Sequence, residues 1–128
     1  MKPRKKFNIL VTGCGGDIGA SMARILKSSE LFYKVIGCNN NNKHFSKHIF
    51  DKFFLVSNFD SIEYKAKIKK IITEEEVDLV IPASELELRL INKNILQIED
   101  DGAPYLFANK KSLDIGLDKL KTVDFLRD

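Results

Sequence analysis

The stretch ILVTGCGGDIGAS, Ile9 to Ser21, limits the fold more than any other part of the chain. An apolar run stops at a cluster of glycines, Gly13, Gly15, Gly16 and Gly19, and apolar residues then return at helical spacing. A continuous apolar run is buried on both faces, as the strands of a parallel sheet are. Glycines placed directly after it let the backbone turn into a helix and come close to a bound group. The helix begins near Asp17, and its first N–H groups, lacking intrahelical partners, favour an anion such as phosphate or carboxylate. Asp17 can occupy that helix end with its own carboxylate, and the same glycines also fit a tight turn that binds nothing.

The strand-then-helix unit repeats along the chain. FNILVTG is the first strand, and the helix after it carries Ile18, Met22, Ile25 and Leu26 on one stripe. YKVIGCN gives a second strand, and NNNNKHFSKH loses all periodicity and reads as a loop. KFFLVS is a third strand, followed by a helix capped by Asp60 or Ser61 with Tyr64, Ile68, Ile71 and Ile72 on one face. VDLVIP is a fourth strand ended by Pro82, which cannot donate to a ladder. SELE, Ser84 to Glu87, has the form of a capping box, and Leu88, Ile91, Ile95 and Ile98 continue its helical stripe. YLFA is read as a fifth strand, and two short helical pieces finish the chain, with Gly116 between them and Asp118 as the second N-cap.

Alternation of this kind implies right-handed crossovers and helices on both faces of the sheet. The expected fold class is therefore α/β, a doubly wound parallel sheet of about five strands. A chain of 128 residues with 44% hydrophobic content fits one domain over residues 1–128, with 1–6 as a basic leader. The leader, Lys2 to Lys6, has no interleaved aromatic residue for base stacking and reads as a solvated terminus, so no nucleic acid is expected as a partner. The apolar run after it is too short for a signal peptide, and no segment reaches the length of a membrane span, so no membrane is expected either. Cys14 and Cys38 are too few for a disulfide framework and are expected near one sheet edge, reduced, in a cytoplasmic protein. His44 and His48, four apart in a polar stretch without a nearby carboxylate, read as surface histidines, and no metal site is expected.

In such a sheet ligands bind beyond the carboxyl ends of the strands, where strand order reverses. The glycine turn, the residues Cys38 to Asn42 and the PASE segment converge there. The turn is similar to the Thr-Gly-x-x-Gly-x-x-Gly loop of extended short-chain dehydrogenases, at Thr12, Gly13, Gly16 and Gly19. An NAD site wants an acidic residue after the second strand, where Cys38 and Asn39 stand; an NADP site could use Lys43. That family's catalytic Tyr-x-x-x-Lys is absent, since Gly37, Ile68 and Asn109 follow four residues after Tyr33, Tyr64 and Tyr105. A phosphoacceptor domain would need an acidic cluster after the first strand, and Thr12-Gly13 occupies that place. An NAD(P)-binding domain and a ligand-free interaction domain remain the alternatives.

The order ILVTGCGGDIGASMARILK, KVIGCN, VDLVIPASELEL and LFANKKSLDIGLDKLKTVDFLRD resembles the N-terminal, Rossmann-like pre-ATP-grasp domain of ATP-grasp enzymes, carbamoyl-phosphate-synthase-like ligases above all. Asp118-Lys119, Thr122 and Phe125-Leu126 are similar to the helix that leads into the ATP-grasp fold, making 117–128 the start of that connection. The resemblance implies a part in a carboxylate-amine or carboxylate-thiol ligase that uses ATP and magnesium and passes through an acyl phosphate. It implies that Gly13, Gly15, Gly16, Ser84 and Glu85 face a small-molecule carboxylate substrate and that Lys119 contacts ATP phosphates. A plain solvated lysine at Lys119, and a helix cap at Ser84 and Glu87, account for those residues without a ligand. Asn39 stands where relatives often carry an acidic residue. The catalytic ATP-grasp domain is expected in cis or on a separate subunit, a homodimer is possible, and the 128 residues are read as an engineered piece or one part of a split enzyme, with no catalytic residue and no tightly bound cofactor of their own.

Overall fold

The computed structural model describes residues 7–29, 34–43 and 45–127. The leader at Lys2 to Lys6, Tyr33, His44 and Asp128 lie outside the described residues. Strand β1 (Asn8–Thr12) leads through the glycine turn to helix α1 (Asp17–Lys27), and β2 (Lys34–Asn39) follows. A 3-10 turn at Phe45–His48 interrupts the Asn-rich loop before β3 (Lys52–Leu55), α2 (Ile62–Glu74) and β4 (Leu79–Pro82). Three helices complete the chain: α3 (Glu85–Asn92), α4 (Lys110–Gly116) and α5 (Lys119–Arg127).

The four strands are parallel in the order β3-β2-β1-β4, with Leu10 opposite both Ile36 and Val80. Alternation along each strand divides the core by face. Ile9, Val11, Val35 and Ile81 join Ala23 and Phe50 on the α1 side. Leu10, Ile36, Cys38 and Val80 join Tyr64, Ile68, Ile71, Ile72 and Ile91 on the α2 and α3 side. The doubly wound α/β architecture is thus present, and Cys14 and Cys38, neither of them in a disulfide, pack on opposite faces of it.

The fifth strand is not formed. YLFA contributes a single parallel bridge, Tyr105 to Val80, in which Val80 N–H donates to Pro104 at 2.9 Å and Leu106 N–H donates to Val80 at 2.8 Å. In a parallel ladder alternate residues serve the same neighbour, so the next donor toward this edge would be residue 82. Pro82 has no N–H, and the ladder stops there.

Two helical stripes also differ from expectation. On α1 the buried residues are Gly19, Ala20 and Ala23, with Met22 and Leu26 half-buried beside them, while Ile18 and Ile25 are exposed. The cause is close approach: a Cβ at Gly19 would stand 2.5 Å from the Cys14 carbonyl oxygen, so only small residues fit between this helix and the turn. Helix α3 ends at Asn92, because Asn94 takes a left-handed φ of 58° and turns the chain back; Leu96 is buried and Ile95 is exposed. By contrast α2 buries Tyr64, Ile68, Ile71 and Ile72 as expected, and the Ser61 hydroxyl accepts from Tyr64 N–H at 3.1 Å as its cap.

The glycines of the turn therefore differ in cost. Gly19→Ala is expected to destabilise the domain by about 1–3 kcal/mol through overpacking. Gly16→Ala, at a position with open space and an ordinary φ of −96°, is expected to stay within about 1 kcal/mol. Urea denaturation of the two variants checks the contrast.

Candidate functional site

Chain order reverses between β1 and β4, since the chain leaves β1 toward β2 and β3 and returns on the other side of β1. The crevice beyond the carboxyl ends of those two strands is bordered by the glycine turn and by Ala83-Ser84. Ala83 N–H donates to the Thr12 carbonyl at 2.9 Å and ties the two loops together. Gly13 takes φ +60°, and a Cβ there would stand 2.6 Å from the Ser84 Cβ and 3.3 Å from the Phe59 ring. Glycine is required on both counts. Gly15 is roofed by the Asn39 amide, which donates to the Asn41 carbonyl at 3.2 Å. Gly16 faces open space and offers its backbone to solvent.

Five helices begin in this domain among the described residues, and their N-termini are not alike. Ser61, Asn109 and Asp118 cap α2, α4 and α5 with side-chain oxygens. Helices α1 and α3 have no side-chain cap, and both open on the crevice, after β1 and β4. Asp17 and Glu85 place a carboxylate in each first turn. Glu85 is engaged by Arg89 at 2.6 Å, an exposed pair one helical turn apart.

The capping box is not formed. Ser84 makes no cap bond, and Glu87 turns inward, fully buried. Its Oε1 accepts from the Thr12 hydroxyl and its Oε2 from the Tyr64 hydroxyl, each at 2.5 Å. Burial pushes the Glu87 carboxyl up to about 7, against the two hydroxyl donors, which favour the ionised form. Burial also drives the Tyr64 and Cys38 groups well above their ordinary values, with the Glu87 charge adding to both, and raises the Cys14 thiol to about 12. Both thiols are shut off from solvent, and burial favours their protonated form. Glu87 was hidden by its match to a helix-cap spacing; the signal that its partners are Thr12 and Tyr64 lies far from it in sequence.

Lys119 is exposed in the first turn of α5, whose start Asp118 caps by accepting from Leu120 and Lys121 N–H at 2.9 and 3.1 Å. Helix α5 packs on α4 and α4 on α3, while the Arg89 guanidinium reaches the Leu117 carbonyl between α4 and α5. Gly13, Gly15, Gly16 and Ser84 thus gather at one crevice with Glu85 at its rim, and Lys119 belongs to the helical arm attached to the same helix. Among the described residues no cluster of three or more His, Cys, Asp or Glu could hold a metal ion, and no helix is long and apolar enough to cross a membrane.

Thr12→Val, which strands one oxygen of the buried Glu87 carboxylate, is expected to cost about 1–3 kcal/mol, and Ser84→Ala less than about 0.5 kcal/mol. Equal losses in chemical denaturation would restore the cap. A carboxyl raised above its unfolded value holds its proton more tightly in the folded state, so its contribution is complete below the unfolded value and is lost as pH rises through about 7. The melting temperature is expected to rise as pH falls from 8 toward 5.5; Glu75 and Asp114, whose carboxyls are lowered by their hydrogen-bond partners, oppose this only in more acid solution.

A model of the PylC-like N-terminal domain family matches residues 9–106. No curated protein matches the sequence. Among solved structures, glycinamide-RNase-transformylase T from Mycobacterium tuberculosis is similar in fold, with 13% identity and a TM-score of 0.59 over 94% of this chain and 34% of that one. N5-carboxyaminoimidazole synthetase from Staphylococcus aureus, complexed with ADP, gives 15% identity and a TM-score of 0.56 over 97% and 31%. The biotin carboxylase domain of a thermophilic 2-oxoglutarate carboxylase bound to bicarbonate gives 14% and 0.54 over 96% and 28%. The chain spans about a third of the length of these structures. These matches agree with the pre-ATP-grasp N-terminal domain that the sequence resembles.

Proposed function

Because the chain belongs to the family of PylC-like N-terminal domains, we propose that it is the substrate-side module of an ATP-grasp ligase, completed by a catalytic ATP-grasp domain in cis or on a separate subunit. The observation that carries this reading is the crevice at the β1/β4 reversal, where two helix N-termini without side-chain caps meet a glycine turn. Free N–H groups there suit a carboxylate or phosphate, and Gly16 leaves the backbone open to one. One similar structure holds bicarbonate and another ADP.

In this reading Gly13, Gly15 and Gly16 border a small carboxylate substrate, and the Ser84 hydroxyl, which no cap bond orients, is suited to donate to it. Glu85, paired with Arg89, shapes the rim and keeps its charge from the anion. ATP with magnesium, bound mainly by the partner domain, supplies the energy to activate the carboxylate as an acyl phosphate for an amine or thiol, as in carbamoyl-phosphate-synthase-like enzymes. Lys119 fits this scheme as an exposed ammonium at the start of α5, suited to a phosphate oxygen. The exposed Leu120, Phe125 and Leu126 of α5 suit contact with the ATP-grasp domain, and the exposed Ile18 and Ile25 of α1 a second copy. Two buried cysteines outside any disulfide suit a reducing cytoplasm.

The test starts from the native species, captured from its source cells with an antibody to this domain. A species one or two domains larger than 14.6 kDa, or a 14.6 kDa chain with an ATP-grasp subunit, is expected, with magnesium-dependent ATP hydrolysis that the 128 residues alone lack. Lys119→Ala in that species is expected to raise the KM for ATP roughly tenfold; an unchanged KM withdraws the lysine. A lone chain whose fluorescence titration shows NADH or NADPH binding at micromolar concentration would overturn the ligase reading.

A further inference from the structure

Gly13 is held from three directions, and each leads back to the same buried carboxylate. Thr12, next to Gly13, donates its hydroxyl to Glu87. Tyr64 donates to the other oxygen of Glu87 and packs edge-to-face on Phe59, with ring centroids 5.1 Å apart, and Phe59 in turn lies against Gly13. Glu87 itself rides in the first turn of α3, whose preceding residue Ser84 closes on Gly13 from the third side. The carboxylate is fully buried, yet none of its bonds serves the helix it belongs to. A buried ionisable side chain that spends both oxygens on residues from two other elements is placed to hold those elements in register.

We infer that Glu87 is the positioning residue of the glycine turn, and that whether this one buried carboxyl carries a proton sets the geometry of Gly13 and Ser84 together. As a carboxylate Glu87 accepts from both hydroxyls. With a proton on one oxygen it becomes a donor there, and Thr12 or Tyr64 must reverse its hydroxyl to accept, so the bond on that side is remade. The groups facing Glu87 are Thr12 on β1, Cys38 on β2, Tyr64 on α2, and Asp101 and Tyr105 on the segment after α3. Asp101 is itself buried, accepts from the Tyr105 hydroxyl at 2.8 Å and lies 3.7 Å from the Lys65 ammonium. Its negative charge favours the protonated form of Glu87. The inference concerns the crevice itself and holds whichever anion it takes.

The experiment is an NMR titration of the 128-residue chain between pH 5.5 and 8.5, following backbone amides. Gly13, Ser84 and Tyr64 are expected to shift with one common midpoint close to 7. Glu87→Gln, which keeps the shape and removes the titration, is expected to flatten all three curves with the circular dichroism spectrum unchanged. Tyr64→Phe removes a donor to the ionised form and is expected to move the midpoint upward by about one pH unit; it carries the test if Glu87→Gln fails to fold. A purely structural glutamate would move the melting temperature in these variants with no common titration at Gly13 and Ser84. Flat curves at those two residues, or curves that persist in Glu87→Gln, overturn the inference, as does an unmoved midpoint in Tyr64→Phe.

Discussion

Everything in this domain depends on the double burial of β1. Leu10 and Val11 are wholly shut off from water and Ile9 nearly so, with β2 and β4 satisfying the backbone on either side. Such a strand has no solvent face, so its side chains must be divided between two helical layers, and strict alternation decides which goes where. Ile9 and Val11 go to the α1 side; Leu10, and with it Thr12, go to the side of α2 and α3. Thr12 therefore buries a hydroxyl away from bulk solvent, and an internal acceptor offsets the cost of that burial. Glu87 supplies that acceptor from α3 and, needing a second donor for its other oxygen, recruits Tyr64 from α2.

The parts of this arrangement that were legible in the sequence are those fixed by neighbours along the chain. β1, β2 and β4 are dense apolar runs, and the α2 face from Tyr64 to Ile72 follows the helical period. Ser61 and Asp118 cap helices by bonds to residues two or three positions away. The parts that were not legible turn on which way a residue faces once the sheet is built. Whether Pro82 matters to a fifth strand depends on its missing N–H pointing at the Tyr105 edge, as Val80 does two residues earlier, and not at β1.

Helix α1 and Glu87 make the same point from packing. Hydrophobic spacing selected Ile18 and Ile25 because they are large, but contact with the turn at Cys14 admits only Gly19, Ala20 and Ala23, and rotates the isoleucines outward. Ser84-x-x-Glu87 is a sound capping pattern, and an exposed helix start would have used it. Here the stronger demand comes from Thr12, whose hydroxyl is stranded without Glu87, while the α3 N–H groups face a crevice where water or an anion can serve them. A local preference worth about 1 kcal/mol yields to a buried one worth more.

That exchange has an electrostatic result. By drawing Glu87 inward, the fold removes a carboxylate from the mouth of α3 and leaves the helix end uncapped beside the equally uncapped α1. The remaining carboxylate in that first turn, Glu85, is matched by Arg89, so its repulsion toward an incoming anion is muted. Arg89 has a second bond, to the Leu117 carbonyl, and thereby fixes the junction of α4 and α5 to the helix that borders the crevice. The glycine turn, the start of α3 and the arm bearing Lys119 are then linked through two side chains of α3: Glu87 reaching inward to β1, Arg89 reaching outward to α5.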